Sequence, residues 1–247
     1  MRDFEDTTLW RLSAFERMRN ETGGSGFVRL EGPTMLPSTL LADLGRLERT
    51  HDECDALEVI AACVRHREPA LLCLRHDEFV WPVSIFPNEM LYHSPRDMSQ
   101  ASASGMASLQ VLAVEPPGVK PPGHWKYERV GEAAHYRPLE PLLWAMSLNG
   151  PRKQPLSEIG GTAAYRAAVR QERPPVTGAM GSAVEKLRRE SVSLREIASW
   201  PGMNVERAAR LLNGLYLTSD LIVTRSHPAA RSEPGLLRGL FGGKSKR

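Results

Sequence analysis

The chain has 247 residues, 41% of them apolar and 25% charged, with a formal net charge of +3. That length suits two domains better than one small one, and the composition is that of an ordinary globular protein, not a disordered or fibrous one. No run of eighteen apolar residues occurs and the start, MRDFEDTTLW, is polar and acidic, so neither a membrane span nor a secretory leader is expected and the cytoplasm is the expected compartment.

Charge and cysteine usage narrow the choice of partners. Residues 176–247 carry 12 Lys/Arg against 6 Asp/Glu, a net +6, whereas residues 1–175 carry 20 against 23. Most of the C-terminal excess sits from Arg231 onward, where 5 basic residues face Glu233 alone. Cys54, Cys63 and Cys73 are an odd, widely spaced set beside apolar segments, which predicts reduced core thiols. His51 and Cys54 have no second pair to complete a tetrahedral site, so no metal is expected.

The first predicted element is a helix over 6–19, capped by Asp6 or Thr7. It displays Leu9, Trp10, Leu12, Phe15 and Met18, the candidate partner-binding residues. An isolated helix of about fourteen residues is marginal in water, so it must dock. The linker Glu21–Gly26 reaches only about 20 Å. The expected site is therefore a groove of the N-terminal domain, near the helices at 38–49 and 55–66, with Trp10 and Phe15 as anchors. Gly23-Gly24-Ser25-Gly26 has the composition both of a natural flexible linker and of a fusion junction. Residues 1–20 thus read either as a native amphipathic helix or as a partner peptide tethered in cis.

Residues 27–150 read as an α+β domain. Pro37 and Ser38 open a helix with Leu40, Leu41, Leu44 and Leu47 on one face, and Asp55 with Glu58 caps a second with Leu57, Ile60, Ala61 and Val64. Strands follow at 71–75, 79–86, 89–93 and 109–114. The short turns between them predict a small antiparallel meander covered by the helices. Pro82 cannot donate to a ladder, so its strand is expected to be an edge or bulged there. Residues 115–138, with two Pro-Pro-Gly repeats, predict a stiff loop draped over the sheet with Trp125 pinned into it; a ligand for an aromatic-lined groove is the second reading. A helix over 139–148 ends at Asn149-Gly150-Pro151. The Pro-, Gly- and Ala-rich residues 151–180 are read as a linker between domains.

The C-terminal domain is placed at 181–230, with 231–247 as a basic flexible tail. Ser193 with Glu196 is a capping box, Trp200-Pro201-Gly202 ends that helix, and Asn204 caps another in which Ala208, Leu211, Leu212 and Leu215 form one apolar face. Leu221–Arg225 is β-branched and predicts a strand. On these residues the stretch 184–226 resembles the winged helix-turn-helix family in element order and apolar pattern. Two positions depart from the usual pattern: Ser219-Asp220 stands where a glycine normally follows the third helix, and Pro228 follows the strand with no returning partner. The segment Leu57–Ser94 is similar to the N-terminal domain of PatA-type bacterial regulatory proteins. That resemblance implies signalling or scaffolding and carries over no catalytic residue.

No dinucleotide, phosphate-loop, metalloprotease or hydrolase signature occurs. His66, His76 and His93 lie near the strands and are the one set that could gather. The expected function is a non-enzymatic regulatory adaptor without a cofactor, binding a protein partner through the α+β domain and using the winged helix as a second recognition surface. The alternative is a DNA-binding regulator. There Arg207, Arg210 and Asn213 enter the major groove, Arg225 lies in the wing, and Arg188 and Arg189 touch phosphates. A membrane partner is not expected.

Overall fold

The computed structural model describes residues 9–23, 35–50, 55–100, 103–169 and 174–230. The expected caps Asp6 and Thr7, the linker residues Gly24, Ser25 and Gly26, the His51–Cys54 pair and the tail 231–247 lie outside the described residues. The chain divides into two compact units, residues 1–156 and 157–247. The described residues form α-helices and antiparallel sheets, and none of those helices is long and apolar enough to cross a membrane.

In the first unit the elements run β1 (Trp10–Arg11), α1 (Leu12–Thr22), α2 (Ser38–Thr50), α3 (Ala56–His66), β2 (Ala70–His76), β3 (Phe79–Phe86), β4 (Leu91–His93), α4 (Ala103–Ala107), β5 (Gln110–Glu115), β6 (Tyr136–Pro138) and α5 (Leu139–Asn149). The helix expected at 6–19 is therefore shorter and later at its start, because Trp10 and Arg11 are extended and pair with Val80 and Phe79. Tertiary pairing overrides the helical period there. Glycine sets the other end: Gly23 takes the left-handed conformation (φ 68°) and donates its amide to Arg19 O at 2.8 Å.

The sheet order is β5-β2-β3-β4-β6, with β1 paired to β3 off that path. The first three strands after α3 form the expected meander, but β5 returns to β2, because the outer side of the three-residue β4 is taken by β6. The register against β2 shifts between Cys73 and Leu74, so Leu112 is an extra residue bulged out of β5. Pro82 sits inside a central strand, opposite Cys73. On its other side β1 reaches only Phe79–Val80 and β4 only Ser84–Phe86, so no partner strand there requires the N–H that proline lacks.

Both faces of β2 and β3 are covered, which is why Ala70–Leu74 reads as a continuous apolar run instead of an alternating one. One face carries Leu71, Cys73 and Val80 and packs under Trp10, Ala14 and Phe15. The other carries Leu72, Val83 and Ile85, all fully buried. Asp55 caps α3 by accepting from Leu57 N at 2.9 Å. Glu58 is 1% exposed and pairs with Arg152 at 2.6 Å, and a second Arg152 nitrogen lies 2.7 Å from Asp55. The remaining Arg152 donors reach the carbonyls of Gln154 and Pro155. Residues 151–156 are thus bound to the first unit and do not form a linker.

The second unit contains β7 (Ala164–Ala167), α6 (Gly178–Leu187), β8 (Val192–Ser193), α7 (Leu194–Ser199), α8 (Val205–Leu217) and β9 (Leu221–Thr224). Ser193 caps α7 through Glu196 N, and Asn204 caps α8 through Arg207 N at 2.8 Å, as the sequence predicts. Ser219 adopts φ 61°, the left-handed turn for which glycine is the usual choice. β9 pairs with β7, which lies between β8 and β9 and precedes α6 in the chain. The expected linker 151–180 therefore holds the central strand of this sheet. Tyr165 anchors it, fully buried, with its hydroxyl donating to Ile159 O at 2.6 Å.

Candidate functional site

Leu9, one of the five partner-binding candidates of the N-terminal segment, is buried. The other four come together: Trp10 and Phe15 are buried in one cluster, and Leu12 and Met18 are half-buried against it. The surface beneath them is the sheet face of Leu71, Cys73 and Val80, not the helix pair α2–α3 that sequence proximity suggested. The backbone explains the choice: β1 adds to β3, and Leu12 N donates to Glu78 O at 2.8 Å, which fixes the first turn of α1 over the sheet. Arg19 then reaches the carbonyl of the bulged Leu112 at 2.6 Å. Beside that bond lies a recess of about 360 Å³ lined by Phe15, Glu16, Arg19, Asn20 and Leu112.

The loop between β5 and β6 corrects another expectation. Trp125, expected to be pinned into the sheet, is 77% exposed, and Tyr127 is 81% exposed. Lys126 Nζ sits 4.7 Å from the centre of the Trp125 ring, and His124 stacks against that ring at 5.8 Å. The base of the loop is tied closely. The Tyr136 hydroxyl donates to Lys120 O and accepts from Gly131 N at 2.7 Å, and Lys120 N donates to Arg129 O at 2.9 Å. Two Pro-Pro-Gly repeats stiffen the backbone, and the hydrogen-bonded base holds the loop out from the sheet so that the aromatic rings face water.

The DNA-contact candidates of the second unit are placed unevenly. Asn213, expected outward, is fully buried, because the buried residues of α8 include Ala209 and Gly214 as well as the leucine face. Arg210 is half-buried and paired with Glu206 at 3.1 Å. Arg207 is exposed, with its guanidinium on Gly202 O. Arg225 is exposed and donates to Gly160 O and Glu158 O at 3.0 and 2.9 Å. Arg188 pairs with Glu185 at 3.0 Å, and Arg189 is exposed.

The three histidines near the strands occupy separate environments. His66 lies 2.6 Å from Asp43, which also receives Arg65 and Arg46, and the His66 hydrogen bond is the main reason the Asp43 carboxyl is held below its usual range. His76 stacks on Trp81 at 4.8 Å. His93 meets His135 at 5.6 Å and Tyr136 at 4.7 Å. Burial, then the charges of His135 and Arg137, push its pKa down to about 4. Cys63 and Cys73 are buried free thiols, and burial raises Cys63 to about 12, far from a nucleophile's range. Among the described residues no three His, Cys, Asp or Glu side chains gather as a metal would need.

Residues that sequence reasoning passed over are Tyr127, His135, Tyr136 and Arg152. His135, Tyr136 and Arg152 act through partners distant in the chain, Tyr127 is marked only by its exposure, and none belongs to a periodic pattern. Compared with protein-family models, with curated proteins and with solved structures, the chain matches none.

Proposed function

We propose that the protein is a non-enzymatic adaptor that binds a protein partner through its first unit, with the second unit as a winged-helix-like further recognition surface. The exposed pair Trp125 and Tyr127 carries this reading. Large aromatics supply most of the energy at protein interfaces, and holding two of them in water on a braced loop costs free energy that docking recovers. The order α6, β8, α7, α8, β9 supports the second half of the reading. Protein ranks above DNA as the partner because Arg210 and Arg225 are engaged within the chain and Asn213 is buried.

The test is site-specific photocrosslinking in the cell that makes the protein, from benzoylphenylalanine at position 127 and, as a control, at the exposed Glu89. We expect a discrete protein adduct from position 127 alone. The adduct partner, once identified and purified, should bind the full chain and lose binding to Trp125→Ala/Tyr127→Ala. Adducts with nucleic acid only, or the same adducts from Glu89, overturn the reading.

A further inference from the structure

We infer that the segment docking on the Trp125–Tyr127 loop is acidic, with apolar residues between its carboxylates; this rests on the docking role proposed above for the same loop. Residues 116–130 contain Lys120, Lys126 and Arg129 against Glu128, a net charge of +2 before His124 is considered. The placement of Lys126 is more telling than the count. Its ammonium lies over the Trp125 ring, and its backbone N–H donates to His124 Nδ1 at 3.1 Å. The cation and the aromatic surface are thus presented together. A carboxylate approaching Lys126 brings the side chain two residues along an extended segment onto Trp125 or Tyr127, because alternate residues of a strand share one side.

Single-stranded nucleic acid is the competing anion, and one feature disfavours it. Glu128 is exposed beside Tyr127. A phosphate chain carries a charge at every nucleotide and cannot pass Glu128 without repulsion, whereas a peptide can place a neutral residue there.

The experiment uses the full chain and fluorescence anisotropy with four labelled probes: a twelve-residue peptide with Glu and Leu or Phe in turn at every second position and Ser between them, its Gln and its Lys counterparts, and a twelve-residue oligothymidylate. We expect the Glu peptide to bind at least about 5-fold more tightly than the Gln peptide and to weaken several-fold between 50 and 500 mM NaCl, as a screened exposed contact does. Lys126→Gln should lower its affinity by roughly 3- to 10-fold, and Trp125→Ala/Tyr127→Ala by about 10-fold or more. Circular dichroism should show both variants folded, since the substituted side chains lie at the surface. Equal binding of the Glu and Gln peptides, both lost in Trp125→Ala/Tyr127→Ala, overturns the charge inference and leaves the docking role standing. Unchanged binding of every probe by that double variant overturns both. Tighter binding of the oligothymidylate, or no peptide saturating below 1 mM, overturns the inference; in the second case the photocrosslink still decides the adaptor reading.

Discussion

Replacing Arg152 by Met removes a guanidinium that holds Glu58 and Asp55 at 2.6 and 2.7 Å and also donates to the carbonyls of Gln154 and Pro155. Glu58 is 1% exposed, so its charge loses its cation in a place water hardly reaches. Removing one member of a buried ion pair costs about 3–5 kcal/mol. The lower end applies here, because Asp55 is partly solvated. A loss of about 3 kcal/mol in a unit of 156 residues lowers its melting temperature by roughly 6–12 °C. The assay is urea unfolding followed by far-UV circular dichroism, with a thermal scan alongside. The pair Glu58→Gln/Arg152→Met should recover at least half of the loss, because the remaining group is neutral. A cost below about 1 kcal/mol for Arg152→Met, or a double variant no more stable than the single one, would refute the claim that this cluster joins α3 to the chain after α5.

Phe15→Ala should cost about 3–5 kcal/mol in the first unit, as a fully buried aromatic does; urea midpoints that move by less than a quarter of that range would show α1 to be a passenger. His93→Gln should flatten the acid dependence of stability. The folded pKa of His93 is depressed to about 4 from an ordinary 6.5, so its contribution is present above 6.5 and is lost as pH falls toward 4. In that window the wild type should lose up to about 1.4 kcal/mol per pH unit relative to the variant, less to the extent that solvent screens the site; identical slopes in urea titrations at pH 4.5 and 6.5 would contradict the placement of His93. Ser219→Gly should stabilise the second unit by up to about 1 kcal/mol by relieving a left-handed backbone, and a lower melting temperature would count against that turn.

Much of the local structure was legible in the residues. The caps Asp55, Ser193 and Asn204 accept the amide hydrogen bonds their types imply, and the helices and strands expected between 38 and 149 fall within a few residues of expectation, whereas α4 and β6 stand where loops were expected. What the sequence withheld was non-local. Trp10 satisfies a helical period and a strand pairing equally well, and only the vacant stretch of β3 beside Phe79 and Val80 decides between them. β5 is a strand whichever neighbour it takes; its return to β2 depends on β6, three residues that carry no pattern of their own. The Trp125–Tyr127 loop misled because a tryptophan among prolines usually finds cover. Its exposure is set by Tyr136, whose hydroxyl ties together residues that stand 11 apart, Lys120 and Gly131. Asn213 was assigned to the outer face by its place on the helical wheel, but burial of α8 extends past one face.

The strand β7 has a consequence for how the second unit comes into being. Its partners lie far downstream, with Tyr165 opposite Val192 and Val223. During synthesis at about 5–20 residues per second, the ribosome adds the 58 residues from Tyr165 to Val223 in roughly 3–12 s. For that interval the apolar middle strand exists without its far neighbour, while α6, α7 and α8 emerge and pack on one another. Closure of this sheet is therefore a late event across a long loop, the kind of contact that slows folding. A fragment begun at residue 181, inside α6, would have β8 and β9 with nothing between them, whereas one begun at Ser157 keeps the strand that joins them.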